Sequence, residues 1–140
     1  MAPQHTWESV TALIIELPEV EFDQGNRHFP RGVIRVHGKV IAYPAGGPRG
    51  SPPDAREGEE FVFIKTSHAE RAALFTEDPI TFFTTPHYQD APGVIVRLST
   101  VDPSHLRQLL IEAWRLTAPK RLIAQYEQHT AGLTDQEGQA

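Results

Sequence analysis

The sequence predicts a small α+β domain in which a five-stranded antiparallel sheet is covered on one face by helices, giving two layers. Three observations lead to this prediction. The 140 residues are enough for one domain with its own core. Short runs rich in β-branched and aromatic residues are joined by mostly short connections, which favours antiparallel neighbours. Segments with apolar residues at helical spacing precede, interrupt and follow these runs.

The N-terminal segment predicts a helix over residues 7–17. Thr6 can cap its first turn, and apolar residues recur at helical spacing. Pro18 ends the helix because proline disfavours helical geometry in the residue before it. Residues 19–32 show no clear period, so no element is predicted there.

Two β-branched runs, 33–36 and 39–43, flank a His-Gly turn and predict a β-hairpin. Residues 44–58 are rich in proline and glycine, which predicts a long mobile loop without an element of its own. Residues 60–65 form the third predicted strand.

The central part of the chain predicts a short helix and two more strands. Ser67 and Glu70 fit a capping box and predict a helix that extends to about Phe75. Runs of threonine, phenylalanine and valine predict a fourth strand over 81–85 and a fifth over 94–98.

The C-terminal part predicts two helices. Asp102 can cap the first of them and Pro103 suits its first position, where the missing amide costs nothing. Pro119 starts the second. The predicted order is α-β-β-β-α-β-β-α-α within a single domain, residues 1–128, and the polar residues 129–140 are predicted to form a disordered tail.

Composition restricts the possible functions. The absence of cysteine excludes disulfides, thiolate metal sites and a cysteine nucleophile, and it suits a cytoplasmic protein. Neither a signal peptide nor an apolar run long enough to span a bilayer is evident, so no membrane partner is expected. The seven histidines form no HxH or HExxH pair and the glycines form no nucleotide-binding fingerprint, so neither a metal nor a cofactor is predicted.

Charge is segregated along the chain, although the formal net charge is −5. Residues 24–50 contain five cations and no acid, and residues 91–126 contain five cations and two acids. A basic surface can therefore survive the overall acidity, and such a surface suits nucleic acid.

The candidate nucleic-acid contacts are the cations Arg35, Lys39, Arg49, Lys65 and Arg97. Because side chains alternate between the faces of a strand, Arg35, Lys65 and Arg97 are expected together on the open face of the sheet. Phe61 and Phe63 share that face and could stack on the bases of a single strand. The alternative is a solvated face, or a homodimer interface that buries both phenylalanines.

The predicted hairpin and loop supply the other two cations. Lys39 follows the hairpin turn and Arg49 lies in the loop, where an inserted arginine could reach into a groove of DNA. An ordinary exposed loop with scattered arginines shows the same pattern.

A second candidate site is an anion pocket formed by His87, Tyr88, Lys120 and Arg121. His87 offers an imidazole and Tyr88 a hydroxyl for hydrogen bonding, and Pro119 begins a helix whose free amides can face an anion. The alternative is structural, with His87 bonded to a loop carbonyl and Tyr88 packed. No nucleophile motif is present, so no catalytic residue is predicted.

In the order of several sequence motifs, the chain resembles the MmcQ/YjbR family. The resemblance covers residues 6–128 and rests on five stretches in matching order, LPEVE (17–21), VIRVHGKVIA (33–42), DPITFFTTPHY (78–88), VIVRL (94–98) and VDPSHLRQLLIEAWRLTAPKRL (101–122). It implies a fold like that of type III secretion chaperones, with one antiparallel sheet packed by helices. It also implies DNA binding through a double-wing arrangement of hairpin loops.

The function predicted from the sequence is a non-enzymatic binding domain whose partner is nucleic acid, contacted by the basic hairpin and sheet-face residues. The second hypothesis is a protein-interaction or homodimerising module that uses the open sheet face. The third is a small anion-binding enzyme centred on His87, Tyr88 and Arg121.

Overall fold

This computed structural model describes residues 5–138, with side chains described as far as residue 130. These residues contain six strands and five helices. The strands are β1 (Val20–Asp23), β2 (Val33–Val36), β3 (Lys39–Ala45), β4 (Phe61–Lys65), β5 (Phe82–Phe83) and β6 (Gly93–Arg97). The helices are α1 (Trp7–Ile14), α2 (Gly47–Gly50), α3 (His68–Glu77), α4 (Pro103–Thr117) and α5 (Lys120–Gly138).

The strands form one antiparallel sheet in the order β1-β2-β3-β4-β6-β5. Strand β6 returns to pair with β4, which leaves the two-residue strand β5 at one edge and β1 at the other. The α+β class and the antiparallel sheet are confirmed. The predicted count of five strands and the predicted element order are wrong, because β1 lies in the segment 19–32, where no element was expected.

The helices cover one face of the sheet, where the larger core lies. Alternate residues of the central strands, such as Ile64 and Val96, are fully buried there against α1, α4 and α5. Trp114 of α4 is also fully buried, and its indole Nε1 donates a hydrogen bond to the Pro18 carbonyl at 2.9 Å. This bond ties α4 to the connection that follows α1.

The opposite face of the sheet is covered by loops, contrary to the expectation of an open face. Phe61 and Phe63 are only 4% and 5% exposed, and Ile95 is fully buried. These side chains form a second, smaller core with Tyr43 and Tyr88 packed against it. A sheet that exposed this row of aromatic side chains would leave much apolar surface in water, so the loops bury it instead.

The three predicted N-cap residues are confirmed, but the capping box predicted for Ser67 and Glu70 is only half formed, since Glu70 Oε1 has no hydrogen-bond partner among the described residues. The side chains of Thr6, Ser67 and Asp102 each accept a hydrogen bond from the backbone N–H three residues further on. Helix α1 is shorter than predicted, since it ends at Ile14. Helix α3 is longer and continues to Glu77, just before the Asp-Pro pair.

Two other segments differ from the sequence-based expectation. Residues 44–58 contain the end of β3 and the single helical turn α2, where a loop without elements was predicted. Helix α5 carries helical backbone to Gly138, into the segment 129–140 that was predicted to be a disordered tail, and residues 139–140 of that segment lie outside the described residues. Between residues 5 and 138, no helix is both long enough and apolar enough to cross a membrane.

Candidate functional site

Arg97, the last residue of β6, is the centre of a polar network on the loop-covered face. Its side chain is only 5% exposed. Nη1 donates to both carboxylate oxygens of Glu59 at 2.9 Å, Nη2 donates to Asp54 Oδ1 at 2.8 Å, and Nε donates to the Ile80 carbonyl at 3.2 Å. The guanidinium also lies over the Phe61 ring, 5.5 Å from its centroid. The charge of Arg97 is therefore balanced within the chain.

The two carboxylates that bind Arg97 differ in their surroundings. Glu59 is 6% exposed and accepts hydrogen bonds from the Ser99 hydroxyl at 2.6 Å and the Arg56 backbone amide at 2.7 Å. These two bonds, followed by the bonds and charge of Arg97, lower the pKa of Glu59 from its ordinary 4.5 to about 2. Asp54 is 72% exposed. Glu59 is thus a fixed, buried anion, whereas Asp54 closes the network from the solvent side.

Arg97 and Asp54 also line a cavity of about 610 Å³ between the loop that follows β3 and the segment around β5. Its polar side chains include Arg49, Ser51, Thr84, Thr85 and His87, and its apolar side chains include Ile80 and Phe83. A cavity of this size can accept a small molecule or one nucleotide.

The two loops that form this cavity are joined directly. The Thr85 hydroxyl donates a hydrogen bond to the backbone carbonyl of Arg49, which fixes α2 against the segment after β5. Gly46 begins the turn into α2 with a φ of 116°, a conformation that residues with a side chain rarely adopt. The positions of Arg49 and of the cavity wall therefore depend on the backbone of the loop.

A second cavity of about 520 Å³ adjoins the first at His87, which lines both. The rings of Phe29, Tyr43 and Tyr88 line it. Tyr43 and Tyr88 each stack on Phe63 of the smaller core, at 4.9 Å and 5.8 Å between centroids. Burial, followed by the proximity of Tyr88, raises the pKa of Tyr43 to about 12. This tyrosine is therefore a neutral packing group at physiological pH and not a base.

The expected common basic face of Arg35, Lys65 and Arg97 is not formed. Arg35 Nη1 lies 3.3 Å from Asp23 Oδ2, and Arg97 is buried against carboxylates as described above. Lys65 Nζ donates to the Thr117 hydroxyl of α4 at 3.1 Å, so its charge lies toward the helical layer. Strand alternation placed Arg97 on the correct face, but it could not show that loops cover that face.

The remaining two candidate cations, Lys39 and Arg49, are exposed but lie far apart. Lys39 begins β3, and Arg49 follows the opposite end of the same strand. A strand rises about 3.3 Å per residue, so the length of β3 separates them by about 20 Å. Of this pair, Arg49 is the one that lines a described cavity.

The predicted anion pocket is divided between the two faces of the sheet. Tyr88 packs in the smaller core, and His87 makes an edge contact with its ring at 4.9 Å. Lys120 and Arg121 begin α5, whose buried residue Leu122 belongs to the larger core on the opposite face, and Arg121 Nη2 lies 3.4 Å from Glu19. His87 and Tyr88 are therefore brought together, but without the two cations proposed to accompany them.

These arrangements differ from the geometry that the two alternative functions assumed. A homodimer through the open sheet face required exposed Phe61 and Phe63, and an anion-binding enzyme required Arg121 beside His87. Within the described residues, no group of three histidine, aspartate or glutamate side chains is placed to hold a metal ion.

Sequence reasoning missed Asp54, Glu59 and Ser99 as partners of Arg97. The signal that could have found them is the antiparallel register in which Phe61 faces Arg97, because it brings the residues just before β4 beside the end of β6. This register cannot be derived from the sequence until the ends of both β4 and β6 are known.

Comparison with known proteins finds relatives over part of the chain. Over 51 residues it is 43% identical to three proteins that are named as uncharacterized, Mb2600 of Mycobacterium bovis and MT2646 and Rv2570 of Mycobacterium tuberculosis. The match covers 36% of this chain and 40% of each relative. No family model matches the chain, and no solved structure matches it either.

Proposed function

We propose that the chain is a non-catalytic binding domain of the MmcQ/YjbR type, with a secretion-chaperone-like fold, and that it binds single-stranded nucleic acid at the cavity beside Arg49. The resemblance of residues 6–128 to that family supports the choice of nucleic acid. The proposed place of contact follows from the distribution of cations around the cavities.

Arg49 carries the proposal. Its side chain is exposed, it lines the cavity of about 610 Å³, and within residues 5–130 no carboxylate lies at ion-pair distance from it. A phosphate bound by Arg49 would place the attached nucleotide over Ile80 and Phe83 in the same cavity. Apolar and aromatic surfaces accept bases of any sequence, so the expected binding is tolerant of sequence.

Binding should be weak and sensitive to salt. The net charge of −5 repels a polyanion at long range, and most of the other candidate cations are occupied by partners within the chain. For single strands, the logarithm of affinity falls with the logarithm of salt concentration at a slope of about −0.7 per phosphate contacted. We expect a total slope between about −0.7 and −1.4, which corresponds to one or two phosphate contacts.

The test is a fluorescence anisotropy titration of a labelled oligothymidine at several salt concentrations, with the wild type and two variants. Arg49→Gln should weaken binding and make the salt slope shallower by about 0.7, because one phosphate contact is lost. Arg107→Gln is the matched control, since it removes the same charge from the exposed surface of α4. The proposal fails if the wild type shows no binding at low salt, or if both variants weaken binding equally.

A further inference from the structure

We propose that the cavity of about 610 Å³ holds a binding site for a phosphate group at Arg97, and that the Asp54 carboxylate occupies the position of this group until a ligand displaces it. The site differs from the proposed contact at Arg49 because its central cation is buried and masked. It does not depend on nucleic-acid binding, since a small phosphate monoester presents the same chemical group.

Arg97 is held from one side and masked from the other. Glu59 and the Ile80 carbonyl fix Nη1 and Nε, and Glu59 is itself fixed by Ser99. These contacts are independent of Asp54, which binds Nη2 alone. If the Asp54 carboxylate moves away, the guanidinium stays in place with Nη2 directed at the cavity. The cost of ordering the arginine for a ligand is therefore already met by the fold.

Asp54 is largely exposed although it is paired with Arg97. A carboxylate that is 72% exposed and bound to an arginine gains little from the pairing, because water solvates it almost as well. A phosphate dianion carries more charge than a carboxylate and offers a third acceptor oxygen to the surrounding donors. We therefore expect phosphate to compete with Asp54 for the same guanidinium.

The charges around the cavity also favour an anionic ligand. Arg49 and Arg97 line it together with Asp54, and Glu59 lies behind Arg97. The two cations and two anions balance while Asp54 is in place, and its withdrawal leaves one positive charge unbalanced. The hydroxyls of Ser51 and Thr84, which also line the cavity, can donate further hydrogen bonds to a phosphate.

The apolar part of the cavity indicates what the phosphate is attached to. Ile80 is 62% exposed and stands at the cavity wall with Phe83. An exposed isoleucine beside a site for an anion favours a ligand with a compact apolar or aromatic body next to its phosphate. Both a phosphate monoester and the 5′-terminal nucleotide of a phosphorylated strand meet this description.

The experiment follows the Arg97 Nε–H signal by ¹H–¹⁵N NMR during titration with inorganic phosphate. In the wild type this signal should shift as phosphate is added. Asp54→Ala should bind phosphate about fivefold more tightly, since the internal competitor is gone. Glu57→Ala is the matched control, because it removes another exposed carboxylate of the same segment that does not line the cavity, and it should bind like the wild type.

A second titration identifies the source of the phosphate, using a 5′-phosphorylated oligothymidine and its 5′-hydroxyl twin. Tighter binding of the phosphorylated strand, enhanced by Asp54→Ala, supports a terminal phosphate as ligand. Equal binding of both strands, together with the Asp54-dependent response to inorganic phosphate, supports a small phosphate monoester. The proposal is overturned if phosphate leaves the Arg97 signal unmoved in Asp54→Ala, or if Glu57→Ala tightens binding as much as Asp54→Ala. Neither result bears on the Arg49→Gln titration, so the two proposals can fail separately.

Discussion

Glu59 is the residue whose charge most directly links the fold to pH. Its carboxylate is buried with Arg97 and accepts hydrogen bonds from Ser99 and Arg56. Because its pKa is lowered to about 2 in the folded chain, folding favours the ionised form. The resulting stabilisation is complete above pH 4.5, the ordinary pKa, and is lost as the pH falls toward 2.

Glu59→Gln tests this link. We expect the substitution to lower the free energy of unfolding at neutral pH by about 2 kcal/mol, since a charged hydrogen-bond acceptor of a buried arginine is replaced by a neutral amide. The variant should also lose less stability than the wild type between pH 4.5 and 2. Urea unfolding at a series of pH values measures both effects, with Glu57→Gln as an exposed control. Between pH 4.5 and 2, the free energy of unfolding should fall equally in the wild type and in Glu57→Gln. An equal fall in Glu59→Gln would contradict the assignment of this pH dependence to Glu59.

At the scale of single residues, the sequence predicted the face of the strand on which a side chain lies, but not the residues that surround it. Alternation along β6 placed Arg97 on the face away from the helices, which is where it lies. Whether that position is open or covered depends on loops, and hydrophobic periodicity does not predict the path of a loop. Lys65 shows a further limit, because a long flexible side chain at a strand end can reach back to Thr117 on the helical layer.

At the scale of elements, residues 84–92, which connect β5 to β6 and include Tyr88, cover the smaller core. The Tyr88 ring stacks on Phe63 at 5.8 Å and lies 6.3 Å from the Tyr43 ring. The segment contains little regular structure of its own. This aromatic contact therefore helps to hold it, together with the Thr85–Arg49 hydrogen bond and the bond from Arg71 Nη2 to the Gln89 carbonyl.

Tyr88→Ala should lower the free energy of unfolding by about 2 kcal/mol, because it removes a partly buried ring and exposes Phe63. Tyr88→Phe should remain within about 0.5 kcal/mol of the wild type, since it keeps the ring. Urea unfolding followed by far-UV circular dichroism measures both changes. If the two variants are equally destabilised, the hydroxyl and not the stacked ring holds the segment in place.

Elements with local signals were predictable, and elements defined by long-range contacts were not. Helix caps at Thr6, Ser67 and Asp102 are local hydrogen-bond patterns, and all three are present. Strand β1 was missed because acids fill half of it, and β-propensity alone disfavours acids. They are tolerated there because β1 is an edge strand, exposed to water along one side.

At the scale of the whole molecule, one sheet separates two cores that differ in size and in cover. Both tryptophans, Trp7 and Trp114, are buried in the larger core on the helical face. Their fluorescence therefore reports directly on one side of the sheet. If the sheet couples the two sides, damage to the smaller core should be visible from the tryptophans.

Phe63→Ala tests this coupling. We expect it to lower the free energy of unfolding by about 3 kcal/mol, with the same transition seen by tryptophan fluorescence and by circular dichroism, as in two-state unfolding. Ile80→Ala is the control, because this apolar residue is 62% exposed and its loss should change stability by less than about 0.5 kcal/mol. A circular dichroism transition that shifts while the fluorescence transition stays unchanged would show that the two sides unfold separately.

The outer strands have a consequence for how copies of the molecule meet in a crowded solution. A free strand margin is a template on which further chains can add by backbone hydrogen bonding, the first step of fibril growth. Here one margin is only the two residues Phe82–Phe83, and the other alternates apolar residues with the carboxylates of Glu21 and Asp23. An incoming copy of β1 would bring its own carboxylates beside these, and the two residues of β5 offer few backbone groups for pairing. Both margins therefore discourage growth of the sheet from one molecule into the next.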